Sequence, residues 1–85
     1  MNITPEALEV VCRNGLEFML MVSIISSDNI RTVKDAENAL STIGSLETAV
    51  ETSALNNEKK EWFKEQIKKG KDILNGDIER LKKEK

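Results

Sequence analysis

Few residues in this 85-residue chain are of a type that does chemistry. There is one cysteine, Cys12, and there is no histidine and no tyrosine. The commonest proton-transfer groups are therefore missing, and no Ser-His or Cys-His pair can form. A reactive thiol needs cations and a helix N-terminus close by. Arg13 is adjacent to Cys12 but points to the other side of a helix, so Cys12 reads as a small core hydrophobe. Gly70-Lys71-Asp72 shares a Gly-Lys pair with phosphate-binding loops. It lacks the earlier glycine, the Ser or Thr after the lysine and the preceding strand that such loops need. Asp28, Asp35 and Glu37 do not match a calcium-loop spacing. One thiol without imidazoles gives zinc no ligand set. We expect no catalytic residue, no cofactor, no metal and no enzymatic activity.

Three other features point to binding. Trp62 lies among Lys59, Lys60 and Lys64, a combination suited to base stacking with phosphate contact. Glu58, Glu61, Glu65 and Asp72 are interleaved with them, as on a solvated helix face, and the chain's net charge is −2. Glu47 falls on an otherwise apolar helical stripe. It is either an edge residue paired with a lysine of the last helix or a buried carboxylate that fixes register and oligomeric state. Finally, Phe18 to Ile25 is apolar nearly all round a helix. A helix of that kind is buried on all sides.

The elements that position these residues are helical. Thr4-Pro5-Glu6 is a helix start, and the spacing predicts helix 1 over about 5–26, closed by Ser26-Ser-Asp-Asn29. Its expected core face is Leu8, Val11, Gly15, Phe18, Val22 and Ile25, and a polar stripe of Glu6, Glu9, Arg13 and Glu17 runs opposite. That stripe ends abruptly. Leu20 and Ile24, with Met21 beside them, take its place, and they are the expected self-association patch. Thr32-Val-Lys-Asp35 reads as a capping box opening helix 2, about 32–54. Asn56-Asn57 opens helix 3, about 57–83, expected to continue through Asn75-Gly76. Three helices of similar length with short connections predict a single all-α domain over 1–85, an up-down-up three-helix bundle.

A chain this short buries only about two-thirds of its unfolded surface, so its core is marginal alone. Disulfides and zinc being excluded, association is the remedy left. Charge is unevenly placed: residues 1–56 carry three basic and eight acidic groups, residues 57–85 ten basic and seven acidic. The last third is thus drawn to the rest of the chain or to a second copy. No signal-peptide pattern is present, and the apolar run is shorter than the roughly 20 residues that span a bilayer. Glu6, Glu9 and Glu17 would repel an anionic lipid surface. The expectation is a cytoplasmic, non-enzymatic interaction protein, a small inhibitor, adaptor or regulator. Its partner would be another protein or itself as a homo-oligomer, through Leu20, Met21, Ile24, Glu47 and Trp62. The alternative is a nucleic-acid or nucleotide binder using Lys59, Lys60 and Lys64 around Trp62.

Overall fold

The computed structural model describes residues 3–84, the side chain of Ser27 excepted; Met1, Asn2 and Lys85 of the expected domain lie outside the described residues. All regular structure among them is helical: α1 (Pro5–Arg13), α2 (Glu17–Ile25), a 3-10 turn (Ser27–Asn29), α3 (Val33–Thr52) and α4 (Asn57–Lys83). The expected second and third helices are α3 and α4. The expected first helix is two helices, so the described residues form four α-helices where periodicity suggested three.

The break is a built helix stop. Thr4 starts α1 by accepting the Ala7 N–H at 3.1 Å, with Pro5 in the first turn. At the far end Gly15 adopts φ 69°, the left-handed conformation that only glycine enters cheaply. That turn lets the Gly15 N–H reach the Cys12 carbonyl at 3.1 Å and the Leu16 N–H reach the Val11 carbonyl at 3.0 Å. Two carbonyls at the end of α1 are thereby satisfied. The Asn14 side chain covers a third, donating to the Val10 carbonyl at 2.9 Å. Gly15 is therefore an exposed turn residue and not, as the spacing predicted, a member of a buried face.

The other ends follow the sequence closely. Thr32 and Asp35 close the capping box, each side chain accepting the other's backbone N–H at 3.1 Å. Asn56 caps α4 by accepting the Lys59 N–H at 2.9 Å. α4 runs unbroken through Asn75-Gly76 for 27 residues, about 40 Å, close to the molecule's longest extent of 44 Å.

α3 and α4 form an antiparallel pair and the backbone of the fold. Arg31, Thr32 and Val33 at the head of α3 share a cleft with Leu81 and Glu84 at the foot of α4. Further along, Glu47 meets Lys71. The two short helices lie against this pair. At the N-terminal end the Ile3 N–H donates to Ser45 Oγ at 2.8 Å, and Leu8 plugs α1 into the core with no exposed surface. α2 runs in the same sense as α4, with Glu17 bound to Lys59 at one end and Ile25 lying over Gly70 at the other. Leu8, Ile43, Leu46, Val50, Phe63 and Leu74 are the largest fully buried side chains.

Breaking the helix at Gly15 changes which side of residues 17–25 faces inward. Met21 and Ile24 are in the core, 2% and 7% exposed, and Leu20 is half-buried. Phe18 and Val22, expected inside, are 66% and 45% exposed. Phe18 and Val22 have thus left the expected core face and Met21 and Ile24 the expected patch, while Ile25 stays packed against the core as expected.

Candidate interaction surface

The outward side of α2 carries the most exposed large hydrophobic residues among the described residues. Phe18 and Met19 are about two-thirds exposed, and Leu16 and Val22 nearly half. Together the four present apolar surface on the order of a few hundred Å². Singly exposed hydrophobics are ordinary; four within seven residues, at the N-cap and in the first two turns of α2, are not.

Each edge of this face is shaped by a neighbouring helix. On the α1 side, Val11, Leu16, Met19, Leu20 and Ser23 line a shallow groove that is almost wholly apolar. On the α4 side, Phe18 and Trp62 wall a cleft shared with Glu17, Asn56, Glu58 and Lys59. Trp62 is half-buried, its ring edge-on to Phe63 at 5.0 Å between centroids and 83° between planes. Ile73, 46% exposed, lies eleven residues further along α4, three turns on and on the same stripe.

The Glu17–Lys59 ion pair pins the start of α2 to the first turns of α4. Its hydrogen bond holds the Glu17 carboxyl below the ordinary carboxylate value and the Lys59 ammonium above the ordinary lysine value. The second Glu17 oxygen is enclosed and accepts no hydrogen bond. Burial, and then the Glu17 charge, push the Cys12 thiol up, away from the low values of activated thiols.

The residues singled out from sequence do not form one site. Met21 and Ile24 belong to the core, and Leu20 contributes only one wall of the groove. Trp62 borders the exposed face. Glu47 lies elsewhere, on the opposite flank of α4, with Lys71 Nζ 3.2 Å from its carboxylate and both side chains nearly half exposed. It is the edge residue and not the buried carboxylate, because the position is open to water. The basic cluster is not assembled either. Lys60 and Lys64 are each two residues from Trp62, about 160° round the helix, and Lys59 is engaged by Glu17.

Sequence spacing missed Leu16, Phe18, Met19 and Val22 as surface residues, and it missed the Glu17–Lys59 pair. The signal for the first was Asn14-Gly15, a turn dipeptide located where the polar stripe stops. Among the described residues no helix is long and apolar enough to cross a membrane, and no three His, Cys, Asp or Glu gather as metal ligands. Comparison with protein-family models, with curated proteins and with solved structures finds no match.

Proposed function

We propose that this chain is a non-enzymatic interaction protein that associates with a second copy of itself through the outward face of α2. The observation that carries this reading is the cluster of Leu16, Phe18, Met19 and Val22 in solvent. Its area is about half of the 800 Å² that each partner contributes to a standard interface, and Trp62, across a cleft from Phe18, extends it. A marginal 85-residue core gives association a thermodynamic role. The assembled helices would serve as an inhibitor, adaptor or regulator by occupying another protein's surface. Its proposed compartment is the cytoplasm, in keeping with a single cysteine.

The nucleic-acid alternative is weaker, since Lys60 and Lys64 point away from Trp62. An oligonucleotide titration separates the two: phosphate-dominated binding collapses between about 50 and 200 mM salt, whereas self-association through an apolar face persists. The direct test is sedimentation of the wild type and of Phe18→Asp/Val22→Asp at tens of micromolar. A wild-type oligomer that becomes a monomer in the variant supports the reading. A monomeric wild type, or an unchanged oligomer in the variant, removes it.

A further inference from the structure

The three most outward side chains of α2 share a property that the folded hairpin hides. On a straight helix through residues 5–26, wound at about 100° per residue, Phe18, Met19 and Val22 fall on the side of Leu8, Val11 and Gly15. Ile24 falls about 120–160° from Phe18, Met19 and Val22, and Met21 lies on the flank between, about 60° from Phe18. A straight segment would thus be apolar on two sides. One, Met21 and Ile24, is the face α2 already buries in its own body. The other runs from Leu8 through Phe18 and Val22 and points away from that body, so only a second body can cover it.

The hairpin that prevents this rests on one residue. Gly15 holds φ 69°, and a Cβ there would meet nothing within 4 Å, so backbone conformation alone and no packing demands glycine. α2 starts at a leucine, Leu16, with no side-chain cap. α1 is held to its own body by Leu8, fully buried in the core, and to α3 by the Ile3–Ser45 hydrogen bonds at 2.8 and 3.4 Å. The α3 of an identical chain offers the same contacts. Short hinges between elements that dock on a common core are where chains exchange segments.

We infer, building on the self-association reading, that the partner is a second copy held by exchange of α1. Gly15 relaxes to a helical conformation, α1 and α2 join into one helix, and each α1 docks on the partner's α3 through Leu8 and Ile3. Phe18, Met19 and Val22 then lie between the two bodies. The join also gives the start of α2 the backbone hydrogen bonds that Leu16 cannot supply as a cap.

The test places cysteines at the contact that changes owner. In a Cys12→Ala background, Ile3→Cys and Ser45→Cys are oxidised in the native state, and the material is examined by sedimentation and by a non-reducing denaturing gel. Exchange predicts a covalent dimer on the gel. A single-chain band from material that sediments as a dimer overturns the exchange but leaves association through α2 standing. Material that sediments as a monomer at tens of micromolar overturns both. Gly15→Ala gives a readout independent of the disulfide, since alanine disfavours the left-handed turn and favours the continuous helix. Exchange predicts that Gly15→Ala tightens the dimer by at least about tenfold. A dimer that Gly15→Ala weakens or leaves unchanged keeps its hairpins, and the exchange is overturned.

Discussion

The Cγ2 methyl of Ile25 on α2 stands 3.0 Å from the point where a Cβ on Gly70 of α4 would lie, and the Cδ1 methyl of Ile43 stands 3.2 Å from it. Gly70 is a notch into which two helices press. The Ile43 methyl is the far end of its side chain and can move. The Ile25 methyl sits on a branched Cβ and can move only by leaving its rotamer. Gly70→Ala gains about 1 kcal/mol of helix propensity but overpacks the notch at a cost of about 1–3 kcal/mol. The expected outcome is a net loss of about 1 kcal/mol in urea unfolding, largely recovered in Gly70→Ala/Ile25→Leu, which removes the Cγ2 branch at equal volume. Increased stability in the single variant would show that α2 does not press on α4 here.

Acid should weaken the fold through two carboxylates. Glu17 is held below 4.5 by the hydrogen bond from Lys59, and Asp35 below 3.8, first by the Arg31 backbone N–H and then by the Thr32 contacts. A carboxylate whose folded value is depressed stabilises fully above its unfolded value and loses that contribution as the pH falls through the folded one. Lys59 has the opposite sign. Its folded value lies above 10.5, so its contribution is complete below that pH and is lost on going higher. The Cys12 thiol, pushed above 9.0 by burial, acts in the same direction from a lower pH. Thermal melts should give a level Tm between about pH 5 and 9, falling on either side. Glu17→Gln should lower the plateau and flatten both limbs. A wild-type Tm that stays level to pH 2 would contradict the assignment.

Glu47 should matter little. Its bridge to Lys71 is nearly half exposed at both ends, and pairs of that kind contribute under about 1 kcal/mol, less in high salt. Glu47→Ala should shift stability by no more than that, with the difference vanishing near 1 M NaCl and no change of oligomeric state. A loss of several kcal/mol, or a changed oligomer, would restore Glu47 to the register-fixing role its place on the stripe suggested.

The legible parts of this fold were those where local chemistry and tertiary packing agree. Thr4, Thr32 with Asp35, and Asn56 mark three helix starts in the sequence, and all three cap those starts in the structure. The failure was local. Asn14-Gly15 and Asn75-Gly76 are the same dipeptide, and apolar spacing runs unbroken across both. At Gly76 the chain stays helical because Leu74, Ile78 and Leu81 continue to pack on one side. At Gly15 a straight helix would set Met21 and Ile24 opposite Leu8, and one small body cannot bury both. Periodicity records which residues share a face but not how many bodies are available to cover it. Spacing therefore located the segment with two apolar sides but took Met21 and Ile24, which are buried, for its exposed side.

The order of the helices has a consequence for synthesis. α1 and α2 leave the ribosome before the α3–α4 pair on which they dock. At about 5–20 residues per second, the apolar run from Phe18 to Ile25 waits several seconds for its own acceptor. A finished copy nearby already displays one. An apolar segment is thus made before the surface that covers its inner side, and that side stays in solvent until α4 follows it.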